Sequence, residues 1–271
     1  MREFWSSLHQ GTAVAALISV AAIMAAGPAL AQDVTNAEIV PTGKLRYGLN
    51  ASNAALSARA PDGSVGGISI DLGKFIAGRL GVPFEPVVYA TTGDFTRSFD
   101  RGEWDITVVG TSPGAKEKFS FTPDILLVDY VYLARPGRVF VDVADVDRPG
   151  IKVGASQNGS GSQFLKRTLK SAELVLGPGS VASEVELLGA GKVDVYGSNT
   201  NNLLLVAEQL PGATFIPGAF FTVHFAVAMP KARSPPAAIR LSSIVADAAA
   251  AGLLQNAIQK AGLKGVRAWA N

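Results

Sequence analysis

Cysteine is absent from the 271 residues. That excludes disulfides, thiol catalysis and any cysteine-ligated zinc or iron–sulfur centre. Histidine is nearly absent too: the chain holds 2, His9 and His224, too few for a histidine-rich metal site. Charge is scarce, at 17% of residues against a usual figure of about 25%. The signs almost cancel, 24 Lys and Arg against 22 Asp and Glu. With no basic run either, a nucleic-acid partner is not expected. Disorder needs few apolar residues and much net charge, whereas 48% of this chain is hydrophobic and its formal charge is +2. The length suits one large domain or two of roughly 100–150 residues.

The first segment reads as a targeting signal. Arg2 stands near the start, an apolar stretch runs from Ala13 to Ala26, and Pro28-Ala29-Leu30-Ala31 follows. Ala29 and Ala31 occupy the small-residue positions that a signal peptidase reads, so cleavage is expected before Gln32, making residues 1–31 a signal peptide. No later stretch reaches ~18 uninterrupted apolar residues. An exported, soluble mature protein is expected.

Beyond it, strand and helix patterns alternate. Lys44–Leu49 has the period of two of a strand, and Asp71–Leu80 places Leu72, Phe75, Ile76 and Leu80 on one helical face before Gly81 stops it. A short helix near Phe95–Phe99 precedes a strand at Trp104–Val109. A second series begins at Ile151–Gly154. It continues as helix 162–169, strand 174–176, helix 182–188, strand 193–196, helix 203–209 and strand 214–216. A strand near Phe225–Met229 and two Ala-rich helices after Pro235-Pro236 end the chain. Such alternation predicts an α/β fold with mostly parallel sheets and helices on both faces. The Pro- and Gly-punctuated segment Arg135–Gly150 divides the two series.

In open parallel sheets, ligands bind outside the carboxyl ends of the strands. Four loops there are rich in Gly, Ser, Thr and Asn: Asn50–Asn53, Gly110–Gly114, Gln157–Ser162 and Gly197–Asn201. Singly, each is ordinary turn and cap chemistry; together they predict a binding cleft. Asn50, Asn53, Gly110, Thr111, Ser112, Asn158, Ser160, Gly161, Asn199 and Thr200 are the expected ligand contacts. Gly110-Thr111-Ser112-Pro113-Gly114 also matches the Gly-x-Ser-x-Gly nucleophile elbow, with His224 as the available base. Pro113 argues against it, because it removes an N–H that the oxyanion hole needs. Trp104 reads as core, and Lys116, Glu117 and Lys118 as a solvated helix face.

The series of motifs resembles the family 3 extracellular solute-binding proteins, periplasmic receptors for polar amino acids that serve ABC importers. Lys44–Leu49 resembles the family's opening strand, and Gly67-Ile68-Ser69-Ile70-Asp71-Leu72 its Gly-Phe-Asp-Val-Asp-Leu motif. Phe99–Ile106 resembles its Leu-x-x-Gly-x-x-Asp segment. Phe119-Ser120-Phe121-Thr122 and Gly191-Lys192-Val193-Asp194 follow in the family's order. The resemblance implies a two-lobed type II periplasmic binding protein fold closing around a solute. Lobe 1 would be residues 32–124 plus 228–271, lobe 2 residues 130–222, and the hinges residues 125–129 and 223–227. It further implies a monomer in the periplasm that delivers a small polar solute to an inner-membrane ABC permease, with no cofactor and no resident metal. The alternatives are a sensing domain for a chemoreceptor or kinase, a serine hydrolase using Ser112, and, by fold analogy, a dehydratase.

Two departures from the family bear on the ligand. The family's carboxylate-clamping Arg falls on Ala115, and its ammonium-binding Asp on Asn199. The aromatic expected after the opening strand is also missing from Asn50–Asn53. Ala cannot replace a bidentate Arg, and neighbouring Lys116, a point charge, cannot copy the fork. An ordinary α-amino acid is therefore disfavoured, and a small neutral or singly anionic polar molecule is expected.

Overall fold

The computed structural model describes residues 36–59 and 62–269; the proposed signal peptide, residues 1–31, lies outside them. The opening strand is β1 (Leu45–Asn50), buried along most of its length, as a strand covered by helices on both faces must be. A small ribbon of β2 (Ala58–Arg59) and β3 (Val65–Gly66) leads into helix α1 (Ile68–Leu80). Gly81 ends that helix at φ 69° and donates its N–H to Ala77 and Gly78 carbonyls, a left-handed stop that glycine adopts without steric cost. β4 (Phe84–Tyr89), α2 (Thr92–Arg97), a 3-10 turn at Ser98–Asp100, β5 (Ile106–Gly110) and α3 (Pro113–Lys118) complete the first series. β1 pairs in parallel with β4 on one side and β5 on the other.

β6 (Phe119–Ala134) then runs for 16 residues into the second series. There β7 (Lys152–Ser156) lies parallel between β8 (Glu173–Gly177) and β9 (Val195–Asn199). Helices α4 (Ser160–Thr168), α5 (Val181–Gly189) and α6 (Thr200–Gln209) follow those strands in turn. After β10 (Thr214–Phe215), β11 (Phe221–Pro230) returns along β6, and α7 (Pro235–Ala250), α8 (Leu253–Lys260) and β12 (Val266–Ala268) close the chain. The sheet order is β4-β1-β5-β11-β6-β9-β7-β8. The parallel arrangement expected from the alternation holds within each flank. Between the flanks the ladder is antiparallel, because β6 leaves the first series and β11 comes back to it.

The segments expected as hinges, 125–129 and 223–227, are ladder partners within β6 and β11. The β6–β11 register shifts on either side of Ala226. There the Val227 N–H donates to the Thr122 hydroxyl at 3.2 Å, so a side chain serves a backbone donor at the irregularity. Each flank has its own core. Tyr47, Leu49, Leu72, Ile76, Ile106 and Ile244 belong to the first. The second flank packs Val153, Leu165 and Val195 on one side and Leu188, Tyr196 and Leu203 on the other. Trp104 is buried as expected, although it precedes β5, and its indole N–H donates to Ser98 Oγ at 2.9 Å. Among the described residues no single helix is long and apolar enough to cross a membrane.

Candidate functional site

The loops leaving β1, β5, β7 and β9 converge on one cavity of about 370 Å³. Of the residues singled out in the sequence, Asn50, Asn53, Gly110, Ser112, Asn158, Ser160, Gly161 and Asn199 line it. Thr111 and Thr200 do not. The Thr111 N–H donates to the His224 carbonyl at 2.9 Å, which turns that residue toward β11. Thr200 is packed against Gly265, where an added Cβ would lie 2.9 Å from Thr200 Oγ1. Both stand outside the lining, because a loop's composition does not tell which of its residues faces the cavity.

The two walls approach closely. An added Cβ on Gly110 would lie 2.3 Å from Ser160 Oγ, and one on Gly93 would lie 2.4 Å from Gln157 Nε2. A larger residue at either position would have to displace the facing side chain. Asn158 takes φ 58°, a left-handed conformation that Asn tolerates, and its carbonyl accepts from Gln163 Nε2 at 3.1 Å. No side chain caps α4 at Gly159, so its first-turn N–H groups are left for water or a ligand. Asn50 Nδ2 donates to Thr92 Oγ1 at 3.1 Å, and Ser52 Oγ accompanies them at 3.3 Å from Thr92 Oγ1.

The cavity's chemistry is close to neutral. Among its lining residues the charged ones are Glu117 and Lys118, and Lys118 Nζ pairs with Asp100. Ala115 lines the wall with a methyl group, its N–H donating to Ser112 Oγ at 3.3 Å. Burial pushes the Tyr130 phenol far up, so it stays protonated. Phe95, Phe99, Tyr130 and Phe225 supply the aromatic surface that the loop after β1 lacks. Sequence reasoning missed all four. The i,i+4 spacing of Phe95 and Phe99 was the available signal. Ser52, Thr92, Ser156, Gln163 and Asn202 also line the site and were missed.

Behind this wall lies Glu184 on α5, with no exposure and both carboxylate oxygens unpartnered among the described residues. Burial alone pushes its carboxyl up to about 8. The elements of the serine-hydrolase reading do not meet. Ser112 Oγ caps α3, while His224 Nδ1 lies 2.7 Å from Asp124 Oδ2, and His224 does not line the cavity.

No protein-family model and no curated protein matches the chain. Solved structures do. A mutant of ArgBP from T. maritima superposes with a TM-score of 0.71 at 19% identity, over 83% of this chain and 98% of that one. An amino acid ABC transporter substrate-binding protein from Streptococcus pneumoniae, bound to L-arginine, gives 0.70 at 22% identity over 84% and 97%. The ancestral amino acid-binding protein AncCDT-1, a precursor of cyclohexadienyl dehydratase, gives 0.70 at 21% over 83% and 98%. The fold is therefore the two-lobed α/β architecture of the periplasmic binding proteins.

Proposed function

We propose that this chain is the exported solute-binding component of an ABC importer, holding a small neutral or singly anionic polar solute between two lobes. In this reading residues 1–31 direct export to the periplasm, and the mature protein passes its solute to an inner-membrane permease. The lobes are residues 32–124 plus 228–271 and residues 130–222, joined through 125–129 and 223–227. The observation that carries the reading is the cavity itself. Loops from both flanks of the sheet line it with amides and hydroxyls, and its one lining cation is already paired. A cavity of about 370 Å³ is of the size that takes a small molecule. Binding rather than chemistry is favoured because the one serine in a nucleophile-like motif serves as a helix cap.

A thermal-shift screen of the mature protein against small polyols, amides, hydroxy acids and monocarboxylates tests it. A true ligand at 100 times its dissociation constant adds about 2.7 kcal/mol to stability. A flat response across all four classes would sink the reading.

A further inference from the structure

The run Ser198-Asn199-Thr200-Asn201-Asn202 carries three asparagines where β9 turns into α6, and all three are buried. Each bonds to a segment of the opposite flank. Asn199 Nδ2 donates to Asn53 Oδ1 at 3.2 Å. Asn202 Nδ2 donates to the Ser52 carbonyl at 2.6 Å, and Asn202 Oδ1 accepts from the Ala54 N–H at 2.8 Å. Asn201 forms a reciprocal pair with Lys264, Nδ2 to the carbonyl and the Lys264 N–H to Oδ1, both at 2.9 Å.

The amides are also committed to one another. Asn199 Oδ1 accepts the Asn202 N–H at 3.0 Å, which caps α6, and Asn199 Nδ2 donates a second time to Asn202 Oδ1 at 2.9 Å. Both hydrogens of Asn199 Nδ2 are thereby used. Asn202 Oδ1 accepts twice, filling both lone pairs. Asn53 Oδ1 likewise accepts from Asn199 and from the Ala55 N–H at 3.2 Å. The carbonyl oxygens on this side of the cavity, which are what an ammonium or guanidinium would need, are largely occupied. The one lining carboxylate, Glu117, is not among these amides but on α3, where it is solvent-exposed.

We propose that Asn199, Asn201 and Asn202 form a clasp that holds the two walls together by direct bonds and, by occupying its own acceptors, excludes ammonium- and guanidinium-bearing solutes from the cavity. Two long backbone contacts also cross between the flanks, the Gly93 N–H to the Pro178 carbonyl at 3.2 Å and the Thr92 N–H to the Gly179 carbonyl at 3.5 Å. The exclusion half rests on the cavity being the solute site; the closure half does not.

Amide hydrogen exchange on the ligand-free protein tests the clasp directly, because the Ala54 and Lys264 N–H groups are protected only if the walls are joined. Both are expected to exchange slowly in the wild type. Asn202→Ala should speed Ala54 exchange by up to about tenfold, the reach of one net hydrogen bond, and leave β1 amides unchanged. Asn199→Ser keeps a capping oxygen for α6 while removing the amide donors, and should speed exchange at Ala54 without loss of helix. Fast exchange at Ala54 and Lys264 in the wild type, or no response at Ala54 to either substitution, overturns the clasp. Calorimetry with L-arginine as probe covers the second half: no binding is expected, and micromolar binding overturns the exclusion. A failed solute screen leaves the exchange result standing, whereas unprotected Ala54 leaves solute binding standing.

Discussion

Glu184 is the residue whose chemistry is most at odds with its surroundings. Its carboxyl is fully buried, unpartnered among the described residues, and pushed from 4.5 up to about 8 by burial alone. Its folded-state value lies above its unfolded one, so the folded protein keeps a proton that the unfolded chain has lost. The neutral carboxyl is tolerated in full below pH 4.5. Stability then falls as pH rises from there toward 8. Thermal melts from pH 5 to 9 should show Glu184→Gln gaining on the wild type as pH rises, with little difference at pH 5. Parallel curves would mean that water or another group already serves the carboxylate. Gly110 gives a second residue-scale expectation. A Cβ there would meet Ser160 Oγ at 2.3 Å and Val223 Cγ1 at 3.0 Å. Gly110→Ala should cost solute affinity roughly tenfold or more while the protein still folds. Unaltered affinity would move the ligand away from the β5 wall.

At the scale of elements, the local rules worked where they are local. Ser112 caps α3 with Pro113 behind it, and Ser234 caps α7 with Pro235; both are N-terminal signals visible in the bare sequence. Ser112→Ala should therefore cost roughly 1 kcal/mol of stability and leave ester hydrolysis at background. A serine-dependent esterase rate would reverse the assignment of Ser112 from cap to nucleophile. Five strands escaped a reading by pattern: β2, β3 and β12 are too short to show a period, and β4 and β6 each hold a proline. Pro86 interrupts β4, yet β4 is the outermost strand of its flank, where a missing donor is harmless. Pro123 and Asp124 break the alternation inside β6, and the strand continues through them beside the register shift that Thr122 supports. The site divides in the same way. Polar loops at strand ends were legible because a strand's carboxyl end is a sequence position. That Asn202 bonds to Ser52, 150 residues away, was not, because no period or motif encodes which loops meet.

On the scale of the whole molecule, the two flanks are not independent bodies hung on flexible linkers. β6 contributes Ile125, Leu126 and Val128 to the first core, Tyr132 and Ala134 to one side of the second flank, and Leu133 to the other. β11 extends the same sharing, with Val223, Phe225 and Val227 in the first core and Phe220, just before it, packed on the second. Unfolding one flank would strip neighbours from a strand that the other still needs. Arg267 adds a further tie, pairing with Asp129 of β6 at 2.6 Å, and it holds that carboxyl below its usual range. A single cooperative transition follows from this continuity. Scanning calorimetry of the mature, ligand-free protein should show one peak whose calorimetric and van't Hoff enthalpies agree. Two resolved peaks would make the flanks separate folding units and reduce the β6–β11 ladder to a connector. Because the ladder carries residues of both cores, a core deletion in either flank, Ile106→Ala or Leu165→Ala, should lower that one peak as a whole, at a cost of roughly 2–5 kcal/mol. A shoulder appearing after either substitution would show that its flank melts alone.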